Sequence, residues 1–282
     1  MSSTVPKLEE GDLPGLEADL DPKPDWEPRY PGSGRLKGKV AIVTGGDSGI
    51  GRAVALAFAR EGAAVMACDV NAAGLEATAA QLGSAPGSIA TMIVDVRDEA
   101  AVATFAGRAA EPTGALDVMI CNAGVKGNWA PLAEQPREQL DLVIDINLKG
   151  VVLCMKHALA HMIPARSGVI INLASVQSFR VGFPGAAFYS ASKAAVVALT
   201  RAAALENGQF GIRAVGIAPG PIDTPMLRSA GGDWPPPIIN DVPLGRIGHV
   251  DDIANAALWL ASREANYISG ATLTIDGGWL AP

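Results

Sequence analysis

Residues 40–51 read VAIVTGGDSGIG, and this stretch decides the fold. Its first half, Val40 to Thr44, is a short apolar run rich in β-branched residues, which predicts a buried strand. Its second half is a glycine-rich turn that leads into a predicted helix over residues 50–61, which Gly62 ends. A buried strand, a tight turn and a helix in this order form the start of a β–α unit.

The same unit repeats along the chain. Further apolar runs predict strands over residues 64–69, 89–94, 116–121, 169–173, 212–217 and 272–275. Helical patterns lie between them, over residues 73–82, 98–110, 136–162, 187–207 and 251–262. Buried strands that alternate with helices predict an α/β fold, a doubly wound parallel sheet with helices on both faces. In such sheets ligands bind at the carboxyl ends of the strands, so the strand-to-helix loops are where we look for function.

The first 36 residues differ from the rest of the 282-residue chain. They hold six prolines and eight acids against four bases, and they show no apolar period. This composition predicts either a solvated tail or an ordered arm anchored by Trp26 and Tyr30. No second boundary follows, so the sequence predicts an N-terminal extension over 1–36 and one catalytic domain over 37–282.

Composition excludes several classes of function. The net charge of −7 argues against nucleic acid as the main partner, and no apolar run is long enough for a transmembrane helix. Cys68, Cys121 and Cys154 are widely spaced in apolar runs, which is typical of reduced core thiols in a cytoplasmic protein. His157 and His161 are four residues apart without a nearby third ligand, so no metal site is predicted.

The glycine-rich turn predicts a dinucleotide site. Gly45, Gly49 and Gly51 have the spacing G-x-x-x-G-x-G rather than G-x-G-x-x-G, and free N–H groups at the following helix would face a pyrophosphate. Asp69 ends the second strand and is placed to accept hydrogen bonds from the adenosine ribose. Its charge would repel a 2′-phosphate by about 1 to about 4 kcal/mol, and the loop offers no basic partner. We therefore expect NAD rather than NADP.

Two more strand ends fit the same cofactor. Asp95 and Val96 follow the third strand, where the edge of an adenine could be held. Asn122, Ala123 and Gly124 follow the fourth strand, where small residues would let the ribose on the nicotinamide side pass.

Four residues form a candidate catalytic set. Ser175 follows the fifth strand, Tyr189 and Lys193 share one face of the next helix, and Asn147 lies in the preceding long helix. Tyrosine, with an ordinary pKa of about 10, is a poor base until nearby positive charge favours the phenolate. We expect Tyr189 to be the base, Ser175 to orient the substrate oxygen, Lys193 to tune Tyr189 and bind the ribose, and Asn147 to hold a water for proton release.

Together these residues resemble the short-chain dehydrogenase/reductase family, in its compact single-domain branch, over about residues 37–282. The matching positions are the TGGDSGIG loop, Asp69, Asp95, Asn122–Gly124, Asn147, Ser175, Tyr189, Lys193, Pro219–Gly220, Ile222–Thr224, Ser269–Gly270 and Asp276–Gly278.

The resemblance implies more than the residues alone. It implies a Rossmann fold of seven strands and a homotetramer. In the family, the cofactor contacts include Asp47, Ser48 and Ile50 in the first loop, and the residues nearest the nicotinamide correspond to Pro219, Gly220, Ile222 and Thr224.

Two segments modify the match. Cys121 stands where the family usually has an asparagine, a departure expected to affect local stability more than chemistry. The segments Pro22–Pro24 and Gly32–Gly34 resemble an N-terminal extension of one bacterial subgroup, which implies an arm that packs on the core or on a neighbouring subunit.

The loop from Pro221 to Val250 is long and irregular, which is typical of a lid over a substrate. We expect apolar walls from Met226, Leu227, Trp234 and Ile238 and from Phe179, Phe183 and Phe188. The cations nearest to this region in the sequence are Arg180 and Arg228, so a strongly anionic substrate is not favoured.

The sequence thus predicts an NAD-dependent oxidoreductase that interconverts a neutral secondary alcohol and its ketone. The alcohol would be a sugar, a polyol, a cyclic diol or a hydroxysteroid. One alternative is a 3-oxoacyl-type ketoreductase that uses NADPH, which Asp69 disfavours. Another is a non-catalytic NAD-binding sensor, which would not need Ser175, Tyr189 and Lys193.

Overall fold

One seven-stranded parallel sheet forms the centre of the molecule. The computed structural model describes residues 33–229 and 236–281. The strand order is β3-β2-β1-β4-β5-β6-β7, with every neighbouring pair parallel. The strands are β1 (Val40–Thr44), β2 (Ala64–Asp69), β3 (Ser88–Ile93), β4 (Val118–Cys121), β5 (Gly168–Leu173), β6 (Ile212–Pro219) and β7 (Thr272–Ile275). The predicted doubly wound Rossmann fold is confirmed.

The helices follow the strands in the predicted order. They are α1 (Gly49–Arg60), α2 (Ala72–Ala80), α3 (Glu99–Ala110), α4 (Arg137–Ile144), α5 (Val151–Ala165), α6 (Ala187–Asn207), α7 (Pro225–Arg228) and α8 (Val250–Ala261). Short 3-10 turns connect several of these elements.

One predicted helix is wrong in its continuity. The expected helix over 136–162 is interrupted by a π-helical turn, Asp145–Gly150, between α4 and α5. At this turn the backbone of Gly150 passes against Val96, so closely that a Cβ on Gly150 would lie 2.7 Å from the Val96 Cγ2 atom. The turn also carries the fully buried Asn147. Turns of this kind often mark functional sites.

The two faces of the sheet bury different helices. Successive residues of a strand point to opposite faces. Ala41 and Val43 pack in one core with α1 and α8, around the buried Phe58. Val40 and Ile42 pack in a second core with α3, α5 and α6. Because both faces are covered by helices, we look for a ligand site at the carboxyl ends of the strands, where parallel sheets of this kind bind their ligands.

The chain joins the domain through Glu61, at the end of α1. Its carboxylate accepts hydrogen bonds from the N–H groups of Ser33 and Arg35, at 2.9 and 2.8 Å, and pairs with the Arg35 guanidinium. Burial alone would raise the pKa of Glu61, but these hydrogen bonds outweigh it and hold the pKa below its ordinary value. Leu36 is buried in the first core. The packed domain therefore begins before residue 37, and the anchors expected at Trp26 and Tyr30 lie outside the described residues.

Candidate active site

The glycine-rich turn brings the start of α1 directly onto the end of β1. Gly45 has a φ of +70°, which favours glycine. A Cβ on Gly51 would lie 1.9 Å from the carbonyl oxygen of Gly45, so no other residue fits at position 51 without a backbone shift. Ser48 makes no side-chain cap, and the first turn of α1 carries no acid. The N-terminus of α1 thus presents unshielded N–H groups, which suits an anionic pyrophosphate.

Asn122 joins the ends of β1 and β4. Its side-chain amide donates to the carbonyl oxygens of Thr44 and Gly45, at 2.9 and 3.0 Å. The Thr44 hydroxyl accepts from the backbone N–H groups of Asn122 and Ala123, at 3.0 and 3.1 Å. Asn122 therefore fixes the ends of β1 and β4 relative to each other, in addition to lining the site.

A groove runs along the carboxyl ends of β1 to β4. Most residues predicted to bind the cofactor line it: Gly45, Asp47, Ser48, Gly49, Ile50, Asp69, Asp95, Val96, Asn122, Ala123, Gly124 and Thr224. Gly51 does not line the groove and acts through its contact with Gly45. The groove therefore fits a dinucleotide, with the glycine turn as the cradle for its phosphates.

Two carboxyl groups meet at the far end of this groove. Asp69 accepts hydrogen bonds from the N–H groups of Val70 and Asn71, at 2.7 and 3.1 Å. The carboxylate of Asp47 also contacts Asn71, at 3.0 Å, and lies close to Asp69. Burial, and then the charge of Asp47, raise the pKa of Asp69 to about 7. Asp69 therefore changes its charge near neutral pH.

The groove also contains a cation that the sequence reading missed. Arg97 lines it, but its guanidinium is paired with Asp95 at 2.7 Å. This ion pair holds the pKa of Asp95 below its ordinary value. Nothing in the local sequence pattern indicated that Arg97 would turn back onto Asp95.

Ser175, Tyr189 and Lys193 lie together in a cavity beside the groove. Burial raises the pKa of Tyr189, and a hydrogen bond with Ser175 partly offsets this effect. Lys193 is buried, its Nζ donates to the Leu173 carbonyl oxygen at 2.7 Å, and it lies 5.9 Å from the centre of the Tyr189 ring. Burial lowers the pKa of Lys193 to about 8. The expected lowering of the pKa of Tyr189 is therefore absent from the free protein, because burial dominates.

Asn147 lies beneath these residues and lines neither the groove nor the cavity that adjoins it. Its Oδ1 accepts from the N–H of Val125, and its amide donates to the Val125 carbonyl and the Ser192 hydroxyl, at 2.8, 2.8 and 3.1 Å. Both amide hydrogens are thus used by the protein. One lone pair of Oδ1 remains for the expected water, beside Gly124, whose added Cβ would lie 3.1 Å from this oxygen and 3.4 Å from the Lys193 Nζ.

A second cavity opens from the groove at Ile50, Asn122, Gly124, Thr224 and Met226, which line both. Ser175, Tyr189 and Lys193 line this cavity, together with the predicted residues Pro219, Gly220 and Ile222. The reacting groups therefore lie in the space for a substrate, which opens directly from the space for a cofactor.

The walls of the cavity match the expected lid in part. Met226, Leu227, Ile238 and Phe183 line it, whereas Phe179 and Phe188 do not, and Phe179 is exposed. Trp234 lies outside the described residues. Trp129 and Trp279 form further walls that the sequence reading missed, because both reach the site from distant loops.

The cations expected near the substrate are elsewhere. Arg228 is paired with Asp223 at 2.6 Å, and the exposed Arg180 lies over the ring of Trp279 at 5.1 Å. Neither lines the cavity. The predicted choice of cations was therefore wrong, since the buried Lys126 lines the cavity and Arg180 and Arg228 do not.

The remaining sequence candidates lie outside the site. All three cysteines are buried free thiols, and Cys121 lies beside Cys154. His157 contacts Glu99 at 3.2 Å, and the described residues contain no group of three His, Cys, Asp or Glu placed to hold a metal ion. No helix in the described ranges is long and apolar enough to span a membrane.

Comparison with known proteins identifies the class. A family model described as enoyl-(acyl carrier protein) reductase matches residues 45–280. The cis-4-hydroxycyclohexanecarboxylate dehydrogenase of Sinomonas cyclohexanicum is 42% identical over 86% of this chain and 97% of its own length. The 3-oxoacyl-(acyl-carrier-protein) reductase of Thermotoga maritima is 36% identical over 86% of this chain and 98% of its own. The crystal structure of levodione reductase matches with a TM-score of 0.83 at 36% identity, covering 88% of this chain and 100% of that one.

The chain therefore belongs to the short-chain dehydrogenase/reductase family. It is an oxidoreductase that acts on alcohol or ketone groups, and its family binds a nicotinamide cofactor.

The close contact between Gly45 and Gly51 predicts that a larger residue at position 51 weakens cofactor binding. Gly51→Ala forces the start of α1 away from β1, at a cost of about 1–3 kcal/mol. We expect the affinity for NADH, measured by nicotinamide fluorescence, to fall by at least about tenfold. Gly107→Ala is the matched control, because nothing lies within 4 Å of a Cβ at that position in α3. It should leave the affinity unchanged, and equal affinities in both variants would contradict the packing argument.

Proposed function

We propose that this protein catalyses the NAD-dependent interconversion of a secondary alcohol and its ketone, with Tyr189 as the general acid/base. The observation that carries the proposal is that Ser175, Tyr189 and Lys193 together line the cavity that opens from the dinucleotide groove. A sensor that only binds the cofactor has no need of a proton-transfer group in this cavity.

The residues divide the chemistry as follows. A nicotinamide cofactor held by the residues of the groove would supply the acceptor for the hydride of the carbinol carbon. Tyr189 takes the hydroxyl proton, so that the alcohol becomes a ketone, and Ser175 holds the reacting oxygen by a hydrogen bond. Lys193 binds the ribose and favours the phenolate by its positive charge. Asn147 keeps one Oδ1 lone pair for a water beside Gly124, through which the proton would leave.

The cavity favours a cyclic substrate among the alcohols considered. The rings of Trp129 and Phe183 lie against each other with centroids 4.7 Å apart, and Trp279 closes another part of the cavity. Broad aromatic walls suit the faces of a saturated ring. One relative is named for its action on a hydroxycyclohexanecarboxylate, which supports the same class.

Asp69 supports NAD as the cofactor. Its ionised carboxylate would accept hydrogen bonds from the ribose hydroxyls and would repel a 2′-phosphate. Arg97, which also lines the groove, is already paired with Asp95. Similarity to a 3-oxoacyl-(acyl-carrier-protein) reductase favours the alternative, a ketoreductase that uses NADPH. The two cofactors therefore need a direct comparison.

Two further features of the enzyme are part of the proposal. A homotetramer is what membership of the family implies. A cytoplasmic location is supported by the three free, buried thiols.

The preference for NAD should depend on pH. Because the pKa of Asp69 is raised to about 7, its charge is present above that pH and lost below it. We expect the ratio of NADPH to NADH dissociation constants to rise between about pH 6 and about pH 8, towards a value between about tenfold and about a thousandfold. Asp69→Asn should remove most of this ratio. The 2′-phosphate of NADPH also changes its charge in this pH range. The pH dependence of the ratio in Asp69→Asn is therefore subtracted from that of the wild type, which leaves the contribution of Asp69. A tighter affinity for NADPH in the wild type would refute the assignment.

Tyr189→Phe tests the base. We expect turnover of a panel of cyclic alcohols with NAD to fall by about 10²- to 10⁴-fold, since general acid–base catalysis contributes about that much. The affinity for NADH should stay unchanged, because the ring is retained. Tyr267→Phe is the control, since Tyr267 is fully exposed. Undiminished turnover in the Tyr189 variant would exclude Tyr189 as the base.

A further inference from the structure

Lys126 is a buried lysine in the wall of the substrate cavity. It is 8% exposed and lines the same cavity as Ser175 and Tyr189. Lysine is almost never buried without a partner, because the ammonium loses its hydration. Burial accordingly lowers the pKa of Lys126.

The protein supplies only a weak partner for this ammonium. Within residues 33–229 and 236–281, no hydrogen bond or ion pair reaches the Lys126 Nζ. Its one polar contact is with the ring of Trp129, whose centre lies 5.9 Å away. A cation–π contact does not use the N–H donors of the ammonium for a hydrogen bond to an acceptor. The ammonium therefore has unused hydrogen-bonding capacity facing the cavity.

The backbone on both sides of Lys126 is held in place. Val125 is fixed by two hydrogen bonds of 2.8 Å with the side chain of Asn147. Gly127 has a φ of +65°, and the N–H of Asn128 donates to the side chain of Gln139 at 3.0 Å. The backbone of Lys126 is thus held in one position, so its side chain extends from a fixed point in the cavity wall.

The cavity carries positive charge without compensation. Among its described lining residues the only charged groups are Lys126 and Lys193, and none is acidic. Lys193 already donates to the Leu173 carbonyl. Gln177 also lines the cavity; its Oε1 accepts from the Ser190 hydroxyl at 3.0 Å, and no described residue accepts from its amide hydrogens. Two donors therefore face a space that offers no anion of its own.

We propose that Lys126 binds a carboxylate of the substrate, so that the enzyme acts on a cyclic hydroxy acid and the corresponding keto acid. The inference rests on the proposed function, since it places the alcohol carbon at Tyr189. It reverses the neutral substrate expected from sequence. The alkyl ring would lie along the aromatic walls, with the hydroxyl at Ser175 and the carboxylate at Lys126.

A charge-assisted hydrogen bond of this kind distinguishes an acid from its neutral analogue. Loss of one such bond changes affinity by about ten- to about a hundredfold. A carboxamide keeps the shape of the acid but not its charge, so it gains little from Lys126.

Kinetics with matched substrates test the proposal. The kcat/KM with NAD is measured for hydroxycyclohexanecarboxylates and for their primary carboxamides. We expect the wild type to favour the acid by at least about tenfold. Lys126→Met should lower kcat/KM for the acid by about ten- to about a hundredfold and leave the carboxamide nearly unchanged. Lys126→Arg should retain most of the preference, because it keeps the charge. Lys37→Met, which removes an exposed lysine, should behave as the wild type.

Binding without turnover separates this proposal from the previous one. Calorimetry with Tyr189→Phe enzyme and NAD measures the affinities for cyclohexanecarboxylate and cyclohexanecarboxamide, neither of which has a hydroxyl to oxidise. Tighter binding of the acid, lost on adding Lys126→Met, supports the carboxylate site even if the Tyr189 assignment fails. Equal affinities for acid and amide in enzyme that carries Lys126 would overturn it, whether or not the Lys126→Met variant folds.

Discussion

The rest of the site depends on the hydrogen bonds made by the side chain of Asn147. From the π-helical turn it holds Val125 by two hydrogen bonds and Ser192 by a third. The Ser192 hydroxyl in turn donates to the carbonyl oxygen of Tyr189 at 2.7 Å. One fully buried amide thus joins the loop that carries Lys126 to the helix that carries Tyr189. In a low-dielectric interior, leaving any of these groups unpaired costs about 1–3 kcal/mol, which fixes the relative position of the two elements.

Burial sets the electrostatic state of the free site. It raises the pKa of Tyr189 and lowers that of Lys193, so both groups are shifted towards their neutral forms. With a pKa of about 8, Lys193 is still mostly protonated near neutral pH, so it keeps the positive charge that acts on Tyr189. In our account the positive charge of the oxidised cofactor then favours the phenolate, and the base becomes active only when the cofactor is in place. Lys126 is likewise a buried cation, and in our proposal its partner is the carboxylate of the substrate.

The sequence predicted those features that follow from local pattern. Apolar runs and glycine turns predicted β1 (40–44) and α6 (187–207) at their observed bounds, and motif residues at strand ends converge because the sheet is parallel. The π-helical turn was missed, because the apolar pattern over 136–162 is continuous. Lys126 and Trp279 were missed for another reason. Each lies in a loop without a period and reaches the cavity only through tertiary packing. The direction of the pKa shift at Tyr189 likewise depends on burial, which spacing does not show.

Optical titration of Tyr189 tests the central claim most directly. The chain has only three tyrosines, so the phenolate absorbance of wild type minus Tyr189→Phe isolates one group. Without NAD we expect this group to titrate above its ordinary pKa of about 10, because burial dominates. With saturating NAD the pKa should fall by at least about one unit, towards neutrality. A pKa that stays unchanged when NAD binds would contradict the account, since the cofactor would not then create the base.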